Sequence, residues 1–314
     1  TLHQHALNVY VDIDPDTFNI DPSKIEPAIT SRTKAIIFAD IFGQAANLID
    51  LRNIANKYQL RLIADTAQSP GALYREKSVG TMSDIGGFSL NYHKHIHCGE
   101  GGLLVTNDIT LAERLRLIRN HGEAVIQSND PLELSNILGH NFRLGEIEAA
   151  IASEQLKKLD SLTSSRKKAA ERLTNGLQHL KGLTTPFLSL GTTHVFYIYG
   201  MKLDCDILGK TRDWIVNALC AEGVTALMTG YQNIHLNPLF LNRIAYGTQG
   251  FPWKGLESRD SKVEYYHGLC PIAEDLHLRT FFGINLCAHT YNDAEIDLVV
   301  KAFQKVWHYM ENKS

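Results

Sequence analysis

The chain has 314 residues, of which 44% are hydrophobic and 21% charged, so it can bury a sizeable core and divide into two domains. Its 31 Lys and Arg residues against 34 Asp and Glu residues give a net charge of -3, which predicts no large basic surface for nucleic acid or anionic lipid. No apolar run approaches the roughly 18 residues that a membrane span requires, and the first residues show no export signal. The 5 cysteines are scattered without a CxxC pair, which argues against a disulfide framework or a zinc ribbon and favours a soluble, cytoplasmic protein.

The first part of the chain alternates apolar runs with helical patterns. Strands are predicted at 9–13, 35–38 and 60–64, and helices at 22–30 and at 50–58, where Asp50 is the expected cap. Two further apolar runs, 85–90 and 103–106, are separated by turns rich in glycine and histidine. This alternation predicts an α/β fold with a mostly parallel sheet, in which ligands gather where the strands end.

The second part of the chain is richer in helical patterns. A helix is predicted from Asp108 to about residue 120, a surface loop at 122–136, and one long or kinked helix from Arg143 toward residue 180. Beyond a break at 182–186, strands at 195–201 and 224–227, helices at 211–222 and 293–310 and a long loop at 228–260 indicate a smaller α/β unit. We therefore expect a large domain at 1–182 and a small C-terminal domain at 183–314.

Asp65 and Gln68 form the first candidate site, because they follow directly on the apolar run at 60–64. An acid at a strand end can hold a partner of opposite charge, and the Gln68 amide can donate a hydrogen bond to a nearby oxygen. An aspartate in this position is more often a helix cap, so the pattern alone does not establish a site.

Lys94 is the second candidate, in a turn after the run at 85–90 and shortly before the glycine-rich stretch 99–102. Glycines allow the backbone to approach a ligand closely, and a lysine amine can form a Schiff base with a carbonyl compound. Most lysines are solvated surface residues, and that alternative stays open for Lys94 taken alone.

Three histidines, His93, His95 and His97, lie next to Cys98, and in an extended segment they would share one side, as in a metal site. No outlying acid or histidine at ligand spacing accompanies them, so ordinary loop histidines and no metal are expected. Asn141 is the expected N-cap of the long helix. The sequence has no GxSxG, GxxxxGK[ST] or GxGxxG motif.

Taken in order, these motifs and their neighbours resemble the DegT/DnrJ/EryC1/StrS family of pyridoxal-phosphate-dependent aminotransferases, which have the fold type I architecture. Each motif is weak alone, and their order along most of the chain is specific. The matching segments are 11–14, 33–37, 42–44, 65–68, 84–86, 88–94, 99–102, 119–122, 139–143 and 146–150, with a looser likeness at 235–238, 251–252 and 271–274.

The resemblance implies roles for five residues. Lys94 would form the Schiff base with pyridoxal phosphate, Asp65 would pair with the pyridine nitrogen, and Gln68 would lie by the ring and its phenolic oxygen. Ser89 would bind the cofactor phosphate. Asn141 would reach the phosphate of the neighbouring subunit's cofactor, which makes a homodimer with a shared active site the expected assembly. An acid beside the pyridine nitrogen keeps it protonated, and a free lysine amine can move a proton.

The implied activity is transamination of a nucleotide-linked keto sugar with an amino acid donor, commonly glutamate, in amino-sugar or cell-surface polysaccharide biosynthesis. Some relatives carry histidine in place of this lysine and remove a hydroxyl group, so Lys94 favours amination over the dehydratase alternative. The chain opens near the family's Val-x-Asp-Ile-Asp strand, and we expect the preceding phosphate clamp and stacking aromatic residue to be missing, with part of the core uncovered. A catalytically impaired or regulatory binding protein of the same fold is therefore a second alternative.

Overall fold

The computed structural model describes residues 1–122, 137–254 and 263–312. The strands are β1 (Ala35–Ala39), β2 (Arg61–Asp65), β3 (Leu73–Tyr74), β4 (Lys77–Ser78), β5 (Ile85–Ser89), β6 (Gly102–Val105), β7 (Leu183–Thr184), β8 (Tyr199–Leu203), β9 (Leu227–Thr229) and β10 (Phe281–Ile284). The α-helices are α1 (Leu48–Lys57), α2 (Ile109–Arg119), α3 (Glu146–Leu156), α4 (Leu159–Leu177), α5 (Cys205–Leu208), α6 (Arg212–Ala221), α7 (Pro238–Leu241), α8 (Pro271–Asp275) and α9 (Asp293–Glu311).

The first sheet has the order β1-β2-β5-β6, in which β1, β2 and β5 are parallel and β6 is antiparallel to β5. The register sets Ala39 opposite Asp65, and Asp65 opposite Gly87. Parallel strands end at the same edge of a sheet, so the residues that follow β1, β2 and β5 meet there. This mostly parallel sheet and its helices confirm the predicted α/β fold.

Helix α1 packs on one face of the first sheet. Its buried residues Leu51 and Ala55 join Leu62 and Ala64 of β2 in one apolar core. The opposite face is largely exposed within the described residues: Ile37 of β1 is 50% exposed and Leu104 of β6 is 56% exposed. Helix α3 has no buried residue among those that the structure describes.

The second sheet has the order β7-β8-β10-β9, and all its pairs are antiparallel. Its core contains Met201 and Phe282 from the strands, Leu173 from α4 and Phe303 from α9. The sheet therefore begins at Leu183, while the last part of α4 packs in its core. The division of the chain into domains at 1–182 and 183–314 stays a prediction.

The predicted strand at 9–13 is wrong, since Ile13 forms only an isolated bridge with Ile20. Asp12 is buried, and its carboxylate accepts hydrogen bonds from the N–H groups of Ile272 and Ala273. The segment is thus held by a side chain at the first turn of helix α8, and no neighbouring strand pairs with it among the described residues.

Three helix predictions also need correction. The helix predicted at 22–30 is two 3₁₀ turns, Pro22–Lys24 and Glu26–Ala28, because Pro27 lacks the N–H that a continuous helix needs. Asn47, not Asp50, caps α1, since its side chain accepts the Asp50 N–H. The long helix predicted from Arg143 is the pair α3 and α4, which begins at Glu146. None of the described helices is both long and apolar enough to cross a bilayer.

The packing of α9 leads to a stability prediction. Phe303 is fully buried and stacks on Phe282 and Trp307, whereas Leu298 of the same helix is 65% exposed. We expect Phe303→Ala to lower the free energy of unfolding by about 3–5 kcal/mol, because it opens a cavity in the core. The control Leu298→Ala should change it by less than about 0.5 kcal/mol, and urea unfolding measures both. Equal losses in the two variants would contradict this packing.

Candidate active site

Asp65 is the last residue of β2, and its side chain is exposed at the edge where the parallel strands end. Its Oδ1 accepts a hydrogen bond from the N–H of Ala67 at 3.0 Å. Turns follow it instead of a helix, so Asp65 is not a helix cap. With Ala67 and Ser89 it lines an open cavity of about 290 Å³. The carboxylate is therefore free to meet a ligand in that cavity.

Lys94 lies in the turn after β5, and its amine is half-buried, 4.8 Å from the centre of the Tyr197 ring. Burial lowers the pKa of Lys94, while the charge of Asp65 and the thiol of Cys287 act in the opposite direction. The structure thus brings Asp65 and Lys94 within electrostatic reach of each other, although Lys94 lies 29 positions after Asp65 in the sequence.

Gln68 is buried, and both ends of its amide have partners. Its Oε1 accepts the N–H of Phe42 at 2.7 Å, and its Nε2 donates to the Tyr231 hydroxyl at 2.9 Å. Phe42 has a φ of 57°, in the left-handed region, which turns its N–H toward Gln68. Gln68 therefore joins the Asp65 turn to the loops that carry Phe42 and Tyr231.

Ser89 ends β5, and its hydroxyl accepts a hydrogen bond from the N–H of Asn91 at 3.3 Å. Ser89 lines the same cavity as Asp65. Because a hydroxyl can still donate its own hydrogen while it accepts this bond, Ser89 can bind an anion there.

Asp40 is a residue that the sequence analysis missed. It follows β1 as Asp65 ends β2, it is fully buried, and its N–H donates to the Asp65 carbonyl at 2.9 Å. Its Oδ1 accepts the N–H of Ala46, whereas its Oδ2 has no partner in the described part of the chain. Burial, and to a smaller degree the charge of Asp65, raises the pKa of Asp40 to about 7. The sequence feature that could have indicated Asp40 is its position shortly after the apolar run at 35–38.

The three neighbouring histidines do not share one side. Residues 92–96 form turns, so His93 and His97 are exposed while His95 is only 2% exposed. The His95 Nε2 lies 3.2 Å from the Gln68 carbonyl oxygen, and its Nδ1 lies 2.7 Å from Arg166. In the described ranges no group of three or more His, Cys, Asp or Glu residues could hold a metal ion.

Asn141 is not the N-cap that the sequence predicts. It is exposed and pairs with Asn120 in an isolated antiparallel bridge, and the Phe142 N–H donates to the Arg119 carbonyl. This pairing holds the segment extended, so the helix starts only after Gly145. Among the described residues no hydrogen bond or ion pair joins Asn141 to the other four predicted site residues.

Tyr197 and Tyr231 are further site residues that sequence reasoning missed. They lie more than 100 positions after Lys94, in the segments around the second sheet, and each touches a predicted site residue. Neither tyrosine belongs to a sequence motif that indicated a functional site. Only the tertiary contacts of these two tyrosines with Lys94 and Gln68 make them part of the site.

Comparison with known proteins places this arrangement in a family. The model of the DegT/DnrJ/EryC1/StrS aminotransferase family matches residues 1–254. The GDP-perosamine synthase of Caulobacter vibrioides is 32% identical over 304 residues, which are 96% of this chain and 73% of that protein. The pleiotropic regulatory protein of Geobacillus stearothermophilus is 37% identical over 238 residues, which are 75% of this chain and 61% of that protein.

Solved structures agree with this assignment. The X-ray structure of the aminotransferase from Psychrobacter cryohalolentis matches with a TM-score of 0.81 and 25% identity, over 96% of this chain and 76% of that one. The chain spans between 57% and 73% of the length of the curated relatives it matches. Aminotransferases of this family depend on pyridoxal phosphate. The chain belongs to the DegT/DnrJ/EryC1/StrS aminotransferase family.

Proposed function

We propose that this protein is a pyridoxal-phosphate-dependent aminotransferase that transfers an amino group from an amino acid, most simply glutamate, to a nucleotide-linked keto sugar. The observation that carries the proposal is that Asp65 and Ser89 line one cavity at the ends of β2 and β5, while the charge of Asp65 acts on the half-buried amine of Lys94 in the turn that follows β5. The family assignment and the 32% identity to a GDP-perosamine synthase support it. A cytoplasmic homodimer in amino-sugar or polysaccharide biosynthesis is part of the same proposal.

The residues present fit the cofactor. Pyridoxal phosphate needs an amine for its aldehyde, an acid for its pyridine nitrogen and donors for its phosphate. Asp65 and Ser89, which line one cavity, supply an acid and a hydroxyl donor, and Lys94, on which the charge of Asp65 acts, supplies an amine. Gln68 would lie by the ring, and Asn141 would serve the cofactor of the partner subunit. When bound, the cofactor supplies an electron sink for the carbon that loses its proton.

Each residue of the site has its own role in the proposed reaction. Asp65 holds a negative charge that favours a protonated nitrogen nearby. Lys94 carries the proton between the reacting carbons, and burial favours the neutral amine that this task requires. The ring of Tyr197 covers one side of that amine. Gln68 fixes the Asp65 turn through Phe42 and Tyr231.

Asp40 supports the proposed role of Asp65 when its own carboxyl group is protonated. A second carboxylate charge beside Asp65 would repel its charge and disfavour its ionised form. Because the pKa of Asp40 is raised to about 7, its side chain is mostly neutral below that pH. Asp65 is then the charged member of the two neighbouring acids.

A regulatory binding protein is the second candidate, since the relative from Geobacillus stearothermophilus is named a pleiotropic regulatory protein. The same residues would then hold the cofactor or a sugar nucleotide without turnover. The two candidates differ in one outcome, because only an aminotransferase changes the absorption of its cofactor when an amino donor is added.

The first prediction from this proposal concerns Lys94. After incubation with pyridoxal phosphate and reduction by borohydride, mass spectrometry should find the cofactor on the peptide that contains Lys94. Lys94→Arg should carry none there, because it keeps the charge but provides no amine for the aldehyde. Addition of glutamate before reduction should bleach the visible absorption and prevent the labelling. Labelling at another lysine would overturn the assignment, and labelling without bleaching would favour the regulatory candidate.

A second prediction concerns Asp65. Asp65→Asn should still be labelled at Lys94, but its rate of glutamate-dependent conversion of the bound cofactor should fall by about 10²-fold or more, because the charge beside the pyridine nitrogen is lost. Stopped-flow absorbance measures the rate. Asp160→Asn, which changes an exposed acid in α4, is the matched control and should leave it unchanged. A normal rate in Asp65→Asn would refute the role.

A third prediction concerns Asp40 and pH. The pKa of a free aspartate is near 4, and in the folded protein that of Asp40 is about 7. Between these values the folded protein holds a proton that the unfolded chain has lost, so wild-type stability falls as the pH rises through this window. Asp40→Asn has no such proton, and its stability relative to wild type should rise by up to about 4 kcal/mol between pH 4 and pH 7.

Urea unfolding at several pH values measures this difference, with Asp160→Asn as the exposed control that should follow the wild type. An unchanged difference between wild type and Asp40→Asn across the window would show that Asp40 is ionised in the folded protein.

A further inference from the structure

His95 lies beside Lys94 in the sequence but points into the protein, where it is only 2% exposed. Its ring has a polar contact on each nitrogen: Nε2 lies 3.2 Å from the Gln68 carbonyl oxygen, and Nδ1 lies 2.7 Å from Nη1 of Arg166. The Cys287 Sγ lies farther from Nδ1, at 3.7 Å. The His95 side chain thus links the turn that carries Lys94 to the turn that carries Gln68 and to helix α4.

The partners of the ring decide which nitrogen carries the hydrogen. A guanidinium only donates hydrogen bonds, so Nδ1 of His95 must accept the bond from Arg166. A neutral imidazole then carries its hydrogen on Nε2, which donates to the Gln68 carbonyl. Burial, followed by the charge of Arg166, lowers the pKa of His95 to about 3, and the nearby His194 and Lys94 act in the same direction.

The Gln68 carbonyl belongs to the turn that begins with Asp65, and the Gln68 side chain is already anchored on Phe42 and Tyr231. The bond from His95 therefore ties the Lys94 turn to a fixed point three residues after Asp65. Arg166 is itself oriented by a bond from its Nε to the Leu286 carbonyl. Gln68 and Arg166, the two hydrogen-bond partners of His95, are thus each held in place by further hydrogen bonds.

From this arrangement we infer that His95 is a positioning residue: it holds the amine of Lys94 in its half-buried place beside Asp65, and Arg166 selects the ring form that can do so. The importance of His95 for transamination rests on the proposed function, but its role in positioning the Lys94 amine does not. Loss of the Nε2–H would leave the Gln68 carbonyl buried without its donor and free the Lys94 turn to move toward water.

The test measures the ionisation of Lys94 without cofactor or substrate. Trace acetic anhydride labels neutral amines, and mass spectrometry gives the labelling rate of Lys94 against pH in the whole chain, with a free amino acid as internal standard. Asp65, Cys287, His93 and His95 are titratable groups whose charge acts with that of Lys94, and the titratable Tyr197 lies with its ring centre 4.8 Å from the amine. In His95→Phe the amine becomes hydrated, and since burial is the largest influence on it, the titration midpoint should rise. A rise of one pH unit lowers labelling near pH 8 about tenfold.

The variant His95→Gln keeps an N–H donor at the end of the side chain and should restore the midpoint of the wild type. Arg166→Met removes the bond that selects the ring form, and its midpoint should move in the same direction as that of His95→Phe. His235→Phe is the matched control, because His235 is equally buried at 4% exposure but pairs with Glu274. It should lose stability without moving the Lys94 midpoint.

A wild-type midpoint in folded His95→Phe, or in Arg166→Met if His95→Phe does not fold, would overturn the inference. An equal shift in His235→Phe would also overturn it, because the effect would then follow from the loss of any buried histidine. Failure of pyridoxal phosphate to label Lys94 would refute the proposed function alone, since the midpoint is measured without the cofactor.

Discussion

The attraction between the Asp65 carboxylate and the Lys94 amine is the interaction on which this account of the site depends. The sheet brings it about: β2 and β5 are parallel neighbours, so the residue that ends β2 and the turn that follows β5 meet at one edge. Two opposing influences then act on the amine. Burial favours its neutral form and Asp65 favours its charged form, so the same nitrogen can act as a nucleophile and as a carrier of a proton.

The neighbouring buried groups favour this pair when they are uncharged. Asp40 is mostly protonated below about pH 7, and His95 is mostly neutral above about pH 3, each chiefly because it is buried. A charged group in either place would change the field at Asp65 or Lys94. The hydrogen bonds of Gln68 and His95 fix the distances between the turns. Burial favours the uncharged forms of Asp40 and His95.

Local patterns predicted the strands that carry Asp65 and Ser89, because a short apolar run followed by polar residues is decided by the residues themselves. The meeting of Asp65 and Lys94 at one edge could also be anticipated, since parallel strands require it. The contacts of Tyr197, Tyr231 and Arg166 could not, because they come from segments far along the chain that only tertiary packing brings to the site.

Two of the errors, at Asn141 and at 9–13, have this same origin. Asn141 has the chemistry of a helix cap, but backbone pairing with Asn120 holds it extended. The apolar run at 9–13 suits a strand, yet the Asp12 carboxylate binds the first turn of the distant helix α8 instead. In both segments a long-range contact outweighed the local preference. The assignment of Asn141 to a partner subunit's cofactor stays a prediction.

The most direct measurement of the central interaction is the pKa of Lys94 by NMR of the lysine-labelled protein, compared between the wild type and Asp65→Asn. Because the carboxylate stabilises the ammonium, its removal should lower the pKa of Lys94 below that of the wild type. An identical pKa in the two proteins would mean that acid and amine do not interact, and the proposed site would have no charged pair at its centre.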